Sequence, residues 1–234
     1  MCNQLRNNKM KELLDKLKIK YNDIKIYERA LTHSSFAYEN NVLDNERLEF
    51  LGDSVLGFLM TEHLYLKFDI DEGKMSKMKA KAISSDALYI YANHINLKKY
   101  IKLGKGEKNK GANEAIISNS FEAFLGAIYL DKGIETTKNI FKKNILPYLT
   151  ETLELKDYKS LLQELIQAGG KRKINYRVLK EFGPSHNKKF EVHVKLDKNI
   201  ILGKGLGSSK KEAEQNAAKD AIGKVEYDNK KVIL

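Results

Sequence analysis

The stretch Asn45-Glu46-Arg47-Leu48-Glu49-Phe50-Leu51-Gly52-Asp53 decides how this chain is read. Its carboxylates, Glu46, Glu49 and Asp53, stand three and then four residues apart. A helix turns about 100° per residue, so this spacing gathers all three on one face. The surroundings are apolar: Leu48, Phe50 and Leu51, then Val55-Leu56-Gly57-Phe58-Leu59-Met60. Acids in such a helix are costly, because desolvation and mutual repulsion both oppose ionisation. A divalent cation relieves both costs, so a metal site is the first functional expectation.

Downstream, Ile116-Ile117-Ser118-Asn119-Ser120-Phe121-Glu122-Ala123-Phe124-Leu125-Gly126-Ala127 repeats the pattern. Asn119 and Glu122 share one face of an otherwise apolar helix. Two such helices set face to face would unite Glu49, Asp53, Asn119 and Glu122. All are hard oxygen ligands, suited to Mg²⁺ or Mn²⁺ rather than zinc. The competing reading is two unrelated polar insertions, satisfied by neighbouring Arg or backbone groups. Glu72, in Asp71-Glu72-Gly73, is either a further acidic contributor or a helix-start residue.

The 234 residues suit one large domain or two modest ones, and 42% hydrophobic content argues against global disorder. No run of 18 or more apolar residues is present, so no membrane partner is expected. The first residues lack the apolar core of a signal peptide. Cys2 is the sole cysteine, which leaves no intrachain disulfide and no thiolate zinc site. A cytoplasmic protein is expected. Of the net charge of +11, residues 155–234 carry +8, from 18 Lys/Arg against 10 Asp/Glu. Residues 1–154 carry +3, from 24 against 21. A basic last third suits a polyanion such as nucleic acid, or simply a solubilising surface.

The pattern predicts helices at Lys9–Leu17, Ile26–Thr32, Asn45–Phe68, Lys74–His94, Ala115–Asp131 and Lys138–Leu153, the last interrupted by Pro147. Gly104–Gly111 reads as a loop. Around Glu151–Lys159 the apolar stripe is lost. Beyond it, a helix over Leu161–Ala168 leads to strands at Asn175–Phe182, Phe190–Leu196 and Asn199–Gly205. Along the middle strand Phe190, Val192, Val194 and Leu196 share a face. Ser208 or Ser209 then caps a helix running to Lys224. The expected fold is an all-α domain at 6–150, a linker at 151–158, and an α-β-β-β-α domain at 159–227 with an antiparallel sheet.

These residues resemble ribonuclease III, the double-strand-specific endoribonuclease. Asn45 to Leu56 is similar to the family signature. Ala30-Leu31-Thr32-His33-Ser34-Ser35 resembles its lead-in, and Asp71 to Ser76 and Phe121 to Ala127 resemble its later blocks. Gly203 to Ala218 looks like the end of a double-stranded RNA-binding domain. The resemblance spans nearly the whole chain, in the bacterial two-domain order. It implies that Glu49, Asp53 and Glu122 are metal-binding carboxylates, with Asp53 and Glu122 as the catalytic pair. Asn119 takes the fourth ligand position, where the commonest family residue is Asp. An amide oxygen still ligates Mg²⁺, but it brings no charge and cannot act as a base. The alternative function is therefore a duplex-RNA binder with weak or no cleavage.

The resemblance further implies that Glu46 and Glu72 are accessory acids of the active-site valley and dimer contact. Phe50 matches an aromatic that inserts into a partner subunit, against the alternative of an ordinary core residue. Mg²⁺ is the implied cofactor, with Mn²⁺ substituting. A homodimer acting in rRNA and mRNA processing and leaving 5′-phosphate and 3′-hydroxyl ends is implied. Duplex RNA is read through minor-groove 2′-hydroxyls and the phosphates beyond them. Lys210 and Lys211, opening the last helix, suit phosphate. By resemblance Gln163 and His186 reach minor grooves. The bland alternative for Gln163 and the lysines is a solvated helix face. Gly203, Gly205 and Gly207 lack Rossmann spacing, so a nucleotide loop is discarded. His33, His63 and His94 read as structural.

Overall fold

The computed structural model describes residues 2–154, 158–168, 173–184, 188–197 and 200–231. Two compact units divide the chain, Met1–Leu155 and Lys156–Leu234.

The first unit is helical: α1 (Cys2–Lys16), α2 (Ile24–Ala30), α3 (Ser34–Asn40), α4 (Glu46–Lys67), α5 (Glu72–Ala82), α6 (Ser85–His94), α7 (Lys105–Lys110), α8 (Glu114–Asn144) and α9 (Leu149–Glu154). Helix α4 begins where the Asp44 carboxylate accepts the Glu46 N–H at 3.1 Å. Its buried stripe runs Leu48, Gly52, Val55, Leu56, Leu59, Met60 and Leu64, a helical period. That stripe packs chiefly on α8. Helix α8 starts with Asn113, whose side chain accepts the Ile116 N–H at 2.9 Å. It buries Ile117, Phe121, Phe124, Leu125 and Ile128 in the shared core. The Asp131 carboxylate then accepts the backbone N–H groups of Asn22 and Asp23 and the Tyr27 hydroxyl, tying α8 to the start of α2.

Several elements depart from the expected pattern. The predicted Lys74–His94 helix breaks at Ile83 and Ser84, because the Ser84 hydroxyl caps a fresh helix at the Ala87 N–H. The predicted loop Gly104–Gly111 contains α7. Glu39 accepts the Lys105 N–H at 2.8 Å there, and Gly111 ends the helix at φ 80°. Helix α3 was not anticipated; His33 caps it through Nδ1. The expected break between the two late helices falls at Gly133, whose φ of 75° and ψ of 177° are non-helical, so α8 is two helices meeting at a kink. Pro147 does interrupt, in a 3₁₀ turn at Leu146–Tyr148. Residues 151–154, expected to be linker, complete α9, where buried Thr152 shares a 3.0 Å hydrogen bond with Tyr91. No helix among the described residues is long and apolar enough to cross a membrane.

The second unit runs α10 (Tyr158–Ala168), β1 (Ile174–Phe182), β2 (Lys189–Leu196), β3 (Ile200–Gly207) and α11 (Lys210–Lys231). The sheet is antiparallel in the order β1-β2-β3, with Val178 opposite Val192 and Val192 opposite Gly205. Val192 and Val194 pack on Leu162 and on Ala213, Ala217, Ala218 and Ala221 of α11. Alternation along β2 is incomplete, since His193 on the other face is also buried. It lies opposite Arg177 and Lys204, with Nε2 3.3 Å from the Glu191 carboxylate.

Candidate active site

Two glycines set the approach of α4 to α8. A Cβ added at Gly52 would lie 1.8 Å from the Glu122 carbonyl oxygen, and one at Gly126 2.4 Å from the Leu48 carbonyl oxygen. The helices therefore touch backbone to backbone, closer than any side chain allows. Glu49 and Asp53 flank Gly52 on α4, and Asn119 and Glu122 precede Gly126 by seven and four residues on α8. That spacing turns all four toward the contact's solvent edge.

The electrostatics register the crowding. Glu122 is pushed up to about 8, first by burial and then by the charges of Asp53 and Glu49. Burial also raises Glu49, and the charges of Glu46 and Asp53 add to it; a hydrogen bond from the Asn119 amide works the other way. A group whose charge is opposed by burial and by two like charges accepts either a proton or a cation. Asp53 and Asn119 are exposed, and Glu49 and Glu122 half-buried. Among the described residues no three His, Cys, Asp or Glu side chains close into a metal cage. The arrangement is an open shelf with hard oxygen donors, one of them an amide. Such a shelf fits a hard divalent ion and leaves coordination positions for water and phosphate.

The remaining predicted residues fall in different places. Glu46 is exposed in the first turn of α4 and acts on Glu49 through its charge. Glu72 opens α5 directly after its N-cap Asp71 and accepts the Ser76 hydroxyl at 2.7 Å, so it is a helix-start residue. It also lines a cavity of about 220 Å³ with Leu64, Tyr65 and Met75. Phe50 is 79% exposed, which excludes a core role within this chain. Phe58 and Tyr65 continue an exposed aromatic stripe along α4. His63 packs edge-on against Phe141, and His94 stacks on Tyr148, as structural histidines do.

In the second unit Gln163 is exposed on α10, and Lys210 and Lys211 are exposed at the start of α11. Lys210 reaches the Glu181 carboxylate at 2.9 Å and sits over the Phe190 ring. Exposed pairs of this kind are weak, so the lysine remains available to a stronger anion. The Ser209 hydroxyl accepts the Glu212 N–H at 3.1 Å, and the Ser208 N–H and hydroxyl donate to the Glu212 carboxylate. Both serines therefore serve the helix start. His186 lies outside the described residues.

Reading the sequence missed the pairing of Gly52 with Gly126. The available signal was a glycine within four residues of an acid in each of two apolar runs. It also missed Phe58 and Tyr65, which fall at offsets of eight and fifteen from Phe50 on one helical face.

Residues 23–149 match the family model described as Ribonuclease-III-like, and residues 158–225 match that of the double-stranded RNA binding motif. The chain is 48% identical over 216 residues to Ribonuclease 3 of Onion yellows phytoplasma, covering 91% of this chain and 90% of that one. It is 43% identical over 224 residues to Ribonuclease 3 of Clostridium tetani, covering 93% and 95%. The solved nuclease domain of ribonuclease III from Campylobacter jejuni is similar with a TM-score of 0.55 and 36% identity, over 58% of this chain and 94% of that one.

Proposed function

This chain belongs to the ribonuclease III family and is a double-strand-specific endoribonuclease, and from that premise we propose that Glu49, Asp53, Asn119 and Glu122 form its catalytic centre around Mg²⁺. The observation that carries this reading is the close contact of α4 and α8 at Gly52 and Gly126, which brings the acids of both helices together; the Glu122 carboxylate there is pushed up to about 8 by burial and by Asp53 and Glu49. Only a proton or a cation relieves that position. Members of the family are metal-dependent nucleases, and the all-oxygen donor set favours Mg²⁺, with Mn²⁺ as a substitute. When bound, the ion neutralises the scissile phosphate and acidifies its water ligand.

The chain's own residues do the rest. Asp53 and Glu122 would hold the ion from opposite helices, and Glu49 and Asn119 would complete the donor set. Asn119 contributes an amide oxygen without charge and steadies Glu49 through its N–H. The exposed side stays open to the phosphodiester. Hydrolysis there leaves 5′-phosphate and 3′-hydroxyl ends. Lys210 and Lys211 take duplex phosphates, and Gln163 and His186 reach the minor groove.

A homodimer fits the aromatic stripe. The Campylobacter jejuni nuclease domain has a region involved in dimer formation. Phe50, Phe58 and Tyr65 leave an exposed aromatic face along α4 that a second copy would cover. The enzyme acts in the cytoplasm, in rRNA and mRNA processing.

The neutral Asn119 supports one other reading, a duplex-RNA binder that does not cut. Incubation of a long RNA duplex with the protein and Mg²⁺ separates the two. Cleavage that stops on chelation supports the enzyme. An intact duplex at stoichiometric protein, together with cleavage by Asn119→Asp, supports the binder.

A further inference from the structure

Away from the acidic shelf, the first unit carries two cavities of about 770 and 330 Å³ that share Glu28, Phe36 and Lys102 in their walls. Their charged lining is one-sided. Lys9, Lys25, Arg29, Lys99, Lys102 and Lys108 face a single acid, Glu28. Lys102 answers that acid at 3.7 Å, and Arg29 donates from Nε to the Asp44 carbonyl at 2.8 Å. Lys25, Lys99 and Lys108 are exposed. Phe36 belongs to both cavities and Tyr100 to the smaller one. Glu12 reaches the Tyr100 hydroxyl at 3.3 Å from the side.

We propose that this joined groove binds single-stranded RNA flanking the duplex that the enzyme cuts, an inference that rests on the active-site reading above. Three observations lead there. Excess cations beside aromatic rings are the means by which proteins hold single strands, through phosphates and stacked bases. Cavities of these volumes admit drug-sized groups such as nucleotides and cannot enclose a double helix. The groove also ends near the chemistry. Val42 and Leu43 line the larger cavity, and Leu43 precedes Glu49 by six residues. That much chain spans at most about 21 Å. The Leu43 edge of the larger cavity, whose wall also holds Arg29 and Lys25, therefore lies within that reach of the acidic shelf.

The test uses the full chain carrying Glu122→Gln, so that bound RNA stays intact. Affinity is measured for a blunt duplex of about 20 base pairs and for the same duplex with a tail of about six uridines. The tailed duplex should bind about fivefold tighter, with a steeper salt dependence. Lys25→Ala with Lys99→Ala should erase that advantage and leave blunt-duplex affinity within about twofold. Three results overturn the proposal: no tail advantage, an advantage that survives the double substitution, or equal weakening of both RNAs, which would assign the lysines to the duplex path. Displacement of the tail by polyglutamate but not by oligouridine would also overturn it, in favour of an acidic protein partner. Cleavage of the blunt duplex by the protein with Glu122 intact is followed in parallel. Its failure would count against the active-site reading, while the affinity ratio judges the groove.

Discussion

Two close backbone contacts, one in each unit, have different consequences. In the first unit Gly52 and Gly126 let α4 and α8 touch, with hypothetical Cβ atoms 1.8 and 2.4 Å from carbonyl oxygens. In the second, Gly203, Gly205 and Gly207 let β3 lie on α11, where Cβ atoms would fall 2.3, 2.2 and 2.4 Å from the backbone of Ala217, Ala213 and Ala213 again. The packing device is the same. At α4 and α8, acids flank the glycines, so close approach concentrates negative charge. At β3 and α11 the nearby acids are already satisfied, Asp220 by the Lys204 N–H and Glu212 by Ser208, so close approach crowds no charge and builds a platform for surface lysines. A small residue at a contact is chemically silent; what stands one turn away decides whether the contact becomes a site.

The strongest way to break this contrast is Glu122→Gln. Cleavage should fall about 10³-fold, the scale seen when a group that stabilises developing charge is removed. Duplex affinity, read by anisotropy, should stay within about twofold. Equal loss of both would place Glu122 in binding rather than chemistry.

Exchanging the glycines sharpens the contrast. Gly52→Ala should weaken Mn²⁺ binding, followed by its electron paramagnetic signal, by about 100-fold, because overpacking forces the ligand-bearing helices apart. Gly205→Ala should lower the melting temperature of the second unit and weaken duplex binding while Mn²⁺ binding is unchanged. Gly57→Ala is the control, since its added Cβ would meet only the end of the Lys79 side chain, at 3.7 Å. Mn²⁺ affinity preserved in Gly52→Ala would refute the claim that helix approach builds the site.

On the basic side, Lys210→Ala with Lys211→Ala should weaken duplex binding about tenfold and reduce the salt slope by about two. An unchanged slope would remove both lysines from the phosphate path.

The smallest effect concerns pH. Glu122 stands well above the ordinary glutamate value of 4.5, at about 8 in the folded protein. Between those two values the folded state binds more protons than the unfolded state, so stability without metal falls as pH rises. Glu49, raised in the same direction, adds to the slope. Melting of the chelated protein across this window should show a decline that Glu122→Gln flattens. No difference between the two would mean that Glu122 is not strained by its neighbours.

How much of this was legible in the sequence varies by element. The α4 acids, the alternation of β2 and the capping serines before α11 were readable, because each is written within a few neighbouring residues. Helix α7 was hidden by its glycines and lysines, and it depends on Glu39, 66 residues away from Lys105. The break before α6 turned on one hydroxyl, and the kink that divides α8 on one glycine with positive φ. The exposure of Phe50 could not be read from the helical pattern, since an aromatic on a helix suits a core and an interface equally; only the family resemblance pointed to an interface.

The sequence by itself determined the helical and strand periods, the uneven charge and the spacing of each acidic pair, because these depend on local geometry alone. Only the tertiary structure decided that Glu49 and Asn119, 70 residues apart, share a hydrogen bond, and that Glu122 is pressed by two carboxylates from another helix. The physical reason is that proximity across the fold is set by how closely backbones approach, and here two missing side chains, at Gly52 and Gly126, set that distance.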